Sequence, residues 1–197
     1  MSDSVDGRTS KTTFERAASG ASTQAWETVE TYVELTMTRE EEFTGSIGAA
    51  VDQARRLWIK ARRATRAPYY LHKAPDPELI SNRADFSRTR RDQHVWAGCP
   101  SPGEMSQASG PGMLPKTTAY RIINGRMLPV TPEQALAFLQ ACYVFTPEEL
   151  TPWLAAGVRI SAGTREHADW VKTHSRLQER ITEDRGDISV VILKAVA

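Results

Sequence analysis

Four times between residues 101 and 152 the chain sets a hydroxyl residue directly before a proline: Ser101-Pro102, Thr131-Pro132, Thr146-Pro147 and Thr151-Pro152. A hydroxyl at the N-cap accepts from an otherwise orphaned amide of the first turn. Proline in the next position has no amide to orphan and already holds a helical φ. Glu104 stands three residues after Ser101, and its carboxylate can return the bond to the cap's own amide, completing a capping box. Starts this closely spaced leave room only for short elements, and they predict a compact bundle of short helices.

The stretch between the first two starts is Leu114 to Pro129, LPKTTAYRIINGRMLP. Thr117 or Thr118 can cap a helix with Ala119, Ile122 and Ile123 on one face and Lys116, Thr117, Tyr120, Arg121 and Asn124 on the other. Gly125 can take the left-handed conformation that ends it, and Pro129 prevents its resumption. From Lys116 to Arg126 there are three cations and no acid. Upstream, Met105 and Ala108 offer a small inward face, and Gly110 offers a turn that lets the second helix cross the first.

These residues resemble the Xre/Cro-repressor type of helix-turn-helix. Its pattern, S/T-x-x-E-L-A, glycine, then S-T-x-x-R-I-x-x-G-x-x-x-P, is met by Ser101, Glu104, Met105, Ser106, Gly110, Thr117, Thr118, Arg121, Ile122, Gly125 and Pro129. Leu114-Pro115, Leu128-Pro129, Phe138, Ala141-Cys142 and Trp153 resemble the LPxST…LP…AC…W variety common in actinobacteria. The likeness covers about Cys99 to Gly163, and the turn from Gly110 to Pro115 is longer than in the shortest members. It implies sequence-specific binding of double-stranded DNA by a transcriptional regulator that reads two half-sites as a homodimer. It also implies that Lys116, Thr117 and Arg121, with Tyr120 beside them, face base edges, and Arg121 can bond guanine O6 and N7 together. Thr118, with the amides at the helix start, would hold a phosphate. Asn124 and Arg126 at the helix end, and Ser101 at the preceding cap, are further backbone contacts.

The formal net charge of +1 conceals an uneven distribution. Residues 1–42 hold four Lys/Arg against nine Asp/Glu, whereas residues 55–91 hold eleven against three. A basic stripe next to the proposed reading head predicts phosphate contacts, with Arg88, Arg90 and Arg91 as candidates; the alternative is a solvated helix face. Residues 1–21, rich in Ser, Thr, Gly and Ala, are expected to be mobile. Residues 22–66 predict a short acidic helix capped at Ser22 or Thr23, then a long amphipathic one. The long helix carries Phe43, Ile47, Ala50, Val51, Ala54, Leu57, Trp58 and Ala61 inside and Arg55, Arg56, Lys60, Arg62, Arg63 and Arg66 outside.

Residues 67–98 read as a basic loop or arm, broken by Pro68, Pro75 and Pro77, with Tyr69 and Tyr70 packing at a domain edge or anchoring the arm. Two segments compete to be the first helix of the DNA-binding domain at 99–163: Ala84 to Ala97, whose inner face is poor in aliphatics, and Glu40 to Arg66. Residues 164–197 predict a helix from His167 to Ile181. After it Ile188 to Leu193, rich in β-branched residues, predicts a short strand that pairs with a second copy, pairs with the 68–99 segment, or packs on its own helices. The expected fold class is therefore mainly α, a helical bundle with a helix-turn-helix and a short C-terminal β-strand.

Cys99 and Cys142 have neither close spacing nor partner histidines, so no zinc site or disulfide framework is expected, and Cys142 reads as a small buried hydrophobe. His72, His94, His167 and His174 have no ligand spacing, and no nucleophile elbow or phosphate-binding glycine loop occurs. No enzyme, cofactor or metal is expected. With no apolar run of membrane length and no signal-peptide core, the expectation is a cytoplasmic, nucleoid-associated protein. The competing reading is a helix-turn-helix turned protein-interaction or adaptor module, whose partner docks on the 40–66 helix and the terminal strand.

Overall fold

In the computed structural model the described residues are 11–20, 22–38 and 45–196, with residues 184–196 described by their backbone alone. They are mainly helical and divide into two compact units, residues 1–68 and 69–197. No helix among the described residues is long and apolar enough to cross a membrane.

The first unit holds α1 (Lys11–Ser19), α2 (Trp26–Thr36) and α3 (Ile47–Arg66). Lys11–Ser19, within the stretch expected to be mobile, is helical; residues 1–10 and Phe43 of the long stripe lie outside the described residues. α2 begins after Ala25, which has no capping side chain, rather than at Ser22 or Thr23. Burial decides the pairing of α2 with α3. The Trp26 and Trp58 rings meet edge to face at 5.5 Å, and the Trp58 indole N–H donates to the Gln24 carbonyl at 2.8 Å. Arg55 lies 4.4 Å over Trp26 and pairs with Glu30 at 3.5 Å, while Arg62, 1% exposed, lies 4.5 Å over Trp58. Each such stack is worth about 0.5–2 kcal/mol, the more for being desolvated. Part of the basic stripe is thereby turned inward.

The second unit runs through a short turn at Pro77–Leu79, α4 (Arg83–Trp96), α5 (Pro102–Ala108), α6 (Lys116–Ile123), α7 (Pro132–Gln140), α8 (Pro147–Ser161) and α9 (His167–Val196). Three hydroxyl caps form where the sequence sets them: Ser101 accepts from the Glu104 amide, Thr131 from Gln134 and Thr146 from Glu149, each at 3.2 Å. The carboxylates of Glu104 and Glu149 close two full capping boxes. Thr151-Pro152 starts no helix. Pro152 lies inside α8, and the Thr151 hydroxyl donates to the Pro147 carbonyl at 2.8 Å. Burial of Leu150, Trp153 and Leu154 on both sides of the proline holds one continuous helix there.

α7 is the spine of this unit. Its Ala135 and Leu139 join Phe86, Leu150, Trp153, Leu154 and Trp170 in one cluster, and its Ala137 and Phe138 join Met105, Leu114, Ala119 and Ile122 in the other. Trp170 lies edge to face on Phe86 at 6.0 Å and against Gly157, where an added Cβ would come within 2.1 Å of its ring. The segment read as a basic loop or arm is anchored in the same unit. Ile80 is 1% exposed, Arg159 donates to the carbonyls of Pro77, Glu78 and Ile80, and the Tyr69 hydroxyl donates to Asp92 at 2.7 Å.

Residues 83–96, expected as part of a loop or as a competing first helix, form α4, capped by the Asn82 side chain on the Asp85 amide and packed on α6 and α8. Its poor aliphatic face is filled by polar groups that meet backbone carbonyls: Gln93 donates to the Cys142 carbonyl, 49 positions away, at 3.3 Å, and His94 Nε2 lies 2.8 Å from the Pro100 carbonyl oxygen. Beyond Ile181 the helix continues, so Ile188–Leu193 belongs to α9 and no strand occurs among the described residues. A lone strand leaves both rows of backbone groups unpaired, whereas extending an existing helix satisfies each group without a new nucleation step.

Candidate nucleic-acid interface

The surface of interest is built from the outer face of α6 and the helices that hold it. Ala119 and Ile122 are completely buried against α5 and α7, which fixes the helix roll; Lys116, Thr117, Tyr120, Arg121 and Asn124 are exposed as a consequence. Burying Ile122 alone contributes about 2–3 kcal/mol. Thr118, between the two faces, is half-buried. Neither threonine caps the helix. Pro115 occupies the N-cap, and its carbonyl accepts from the Thr118 and Ala119 amides at 2.9 Å. Thr117 is therefore free of that task and faces outward.

At the N-terminal end of α6 the Lys116 side chain reaches back over α5, its Cε 3.8 Å from where a Gly103 Cβ would stand, with the Ser101 hydroxyl equally close. Ser101, an expected phosphate contact, is exposed, although its hydroxyl and amide are both engaged in the capping box. At the C-terminal end Gly125 has φ +67, as expected of a helix-ending glycine. The Arg91 guanidinium packs on that glycine, its Cζ 3.4 Å from an added Cβ. Arg126 lies 5.8 Å over the Tyr120 ring, and the Asn124 amide donates to the Tyr120 carbonyl at 2.8 Å. Tyr120 is 49% exposed.

Of the predicted residues, the fold brings Ser101 and Lys116 together at one end and Tyr120, Asn124, Arg126 and Arg91 at the other, with Thr117 and Arg121 exposed between them. Arg88 is exposed on α4, three residues before Arg91. Arg90 is a correction: it is fully buried, its guanidinium 4.8 Å over Phe86 and 5.7 Å over Phe138 and its Nε donating to the Phe86 carbonyl. Its terminal nitrogens have no hydrogen-bond partner, and burial pulls its pKa down to about 9. A helix must bury one face, and α4 buries the one carrying Arg90. Cys142 is buried, and burial pushes its thiol far above the usual range, which leaves it an inert packing group.

The packing of Arg91 on Gly125 joins positions 34 apart and leaves no local trace in the sequence; the one signal of it is the glycine, whose missing side chain leaves the room. Comparison of the chain with protein-family models, with curated proteins and with solved structures finds no match.

Proposed function

We propose that the protein is a sequence-specific double-stranded DNA-binding protein, a transcriptional regulator in which α5 and α6 form a helix-turn-helix and α6 enters the major groove. The observation that carries this reading is the two-faced α6: a fully buried back at Ala119 and Ile122, and an exposed front of Lys116, Thr117, Tyr120 and Arg121. Arg121, long and exposed at the centre, reads guanine; Thr117 and Lys116 face neighbouring bases, and Tyr120 flanks them. Arg91 and Arg126 at one end, with Thr118, Asn124, Arg88 and Ser101, hold the phosphate backbone and set the register. Two copies on two half-sites, in the cytoplasm on the nucleoid, complete the proposal.

Selection of bound duplexes from a random pool tests it. A single recovered sequence with affinity falling steeply in salt, at about −0.9 in log–log slope per phosphate contact, is the expected result.

A second reading has its own support. In the first unit an open groove of about 370 Å3 lies between Thr23 and Val29 on one side and Ala54, Leu57, Trp58 and Ala61 on the other, with Leu57 57% exposed. Exposed apolar area on a basic helix favours an adaptor that docks a protein partner. Salt-insensitive capture of a protein, with no recovered duplex, would favour it over DNA reading.

A further inference from the structure

α3 is covered on one flank and open on another. The covered flank takes α2, an acidic helix with Glu27, Glu30 and Glu34 and no cation; Trp26 and Trp58 seal the contact, and Glu30 pairs with Arg55 at 3.5 Å. α3 itself carries six cations against one acid, so the packing is acidic helix on basic helix. The open flank is marked by Leu57, which is 57% exposed, with Ala61 and Ala64 exposed after it, beside the groove of about 370 Å3 that Val29 and Ala54 help to line. Both tryptophans are buried beneath, so the surface on offer is aliphatic, with Leu57 as its one large projecting side chain. On the other side of Leu57 from the groove, Arg56 and Lys60 are exposed four residues apart on one face. Arg56 bonds the neutral Gln53 side chain at 2.8 Å, and neither cation is ion-paired among the described residues.

We infer that this flank docks a second acidic amphipathic helix, presented by a partner protein, whose apolar residues close over Leu57 and Ala61 and whose carboxylates meet Arg56 and Lys60. Charge complementarity selects the sign of the partner, and α2 realises the same chemistry on the covered flank of the same helix. The exposed leucine selects a protein over a nucleic acid, because a phosphate backbone gives it nothing to bury against. Alanine at 61 and 64 lets the two helix axes approach to about 8 Å. A face running from Ala50 to Ala64 is roughly 21 Å long, so the partner contributes about four turns. The cations raise the rate of encounter and the covered leucine sets the lifetime, so salt slows association and releases little of a formed complex. The inference rests on the part of the second reading in which the first unit docks a protein, and it holds whether or not α6 reads DNA.

The test selects, against the full chain, a displayed library of helices of about sixteen residues in which every position is drawn from Leu, Ala, Glu, Lys and Gln. The recovered helices should carry leucine or alanine on one face and glutamate along its flank, and the Leu57→Glu variant should bind them at least about tenfold more weakly. Reselection against the double variant Arg56→Glu, Lys60→Glu should exchange glutamate for lysine at the flanking positions, a reversal that an unfolded variant cannot produce. No helix recovered, a sign that fails to reverse, or indifference to Leu57→Glu overturns the inference. Binding lost on Arg121→Ala also overturns it, since the acidic helix would then sit on the basic front of α6. A protein partner captured equally well by wild type and by Leu57→Glu overturns this flank while leaving the adaptor reading standing. Helices bound as expected alongside a selected duplex support the inference and the DNA-binding reading together.

Discussion

α4 and α6 are both basic helices of the same unit, yet they treat their arginines in opposite ways. α4 hides Arg90 completely against Phe86 and Phe138, whereas α6 holds Arg121 out in solvent with Ala119 and Ile122 as its buried back. Charge count does not separate them. The apolar period does: α6 has clean apolar positions at one face, so its cations fall outside. α4 lacks enough aliphatic residues, so arginine, glutamine and histidine are drawn into its interior, each meeting a backbone carbonyl, Arg90 within the helix and Gln93 and His94 beyond it. A cation on a helix is a phosphate candidate only after something else has been shown to fill the core.

The largest expected effect attacks the buried back of α6. Ile122→Ala should lower the stability of the second unit by about 2–5 kcal/mol, measured by chemical denaturation, because it removes a fully buried side chain and leaves a cavity. A loss within a few tenths of a kcal/mol would mean that α6 is not anchored by that face. Next, Arg121→Ala should leave stability within about 0.5 kcal/mol, as expected of an exposed position, while costing about 1–3 kcal/mol of discrimination between the selected duplex and others. Arg91→Ala should weaken all duplexes alike and reduce the salt slope by about 0.9, provided Arg91 meets a phosphate. A sequence-dependent loss would move Arg91 among the base readers.

The smallest effect sharpens the buried side of the comparison. Arg90→Met removes a buried cation whose terminal nitrogens lack partners and keeps most of the volume, so stability at neutral pH should be unchanged or modestly raised and duplex affinity unaltered. Its pH dependence has a defined sign. Burial lowers the pKa of Arg90 from 12.5 in the unfolded chain to about 9, so above that value the folded protein holds fewer protons than the unfolded one, and wild-type stability gains as pH rises. Tyr69 acts oppositely. Its pKa is raised from 10.0 to about 12, chiefly by burial and then by its bond to Asp92, so its contribution is present below 10 and lost as pH climbs through 12. The wild-type protein should therefore gain on Arg90→Met between about pH 9 and 10 in denaturation midpoints. A difference flat with pH would mean that Arg90 is solvated.

What the sequence makes legible follows the same division. Ser101, Thr131 and Thr146 cap their helices, and Gly125 ends α6, because capping and left-handed glycine are local rules that need only neighbouring residues. Two expectations fail where the surrounding structure overrides local preference. Thr151-Pro152 is absorbed into α8 because apolar contacts on either side outweigh the break. Ile188–Leu193 stays helical, where each backbone group is satisfied by continuing α9, and no strand occurs among the described residues. α4 takes the helical alternative offered for Ala84 to Ala97 rather than the loop, with polar side chains in its core whose carbonyl partners lie within the helix for Arg90 and beyond it for Gln93 and His94. The outward row of α6 is readable from its period, whereas the burial of Arg90 depends on Phe138, 48 positions away, and has no signature in its own segment.

The most direct test of the central account is to compare the affinity of wild-type protein and the Arg121→Ala variant for the selected duplex and for a scrambled duplex at one fixed salt concentration. The account predicts that the variant loses about tenfold or more on the selected duplex and little on the scrambled one, so that the two converge. Equal losses on both duplexes, or no loss on either, would contradict the claim that the exposed face of α6 reads bases through Arg121.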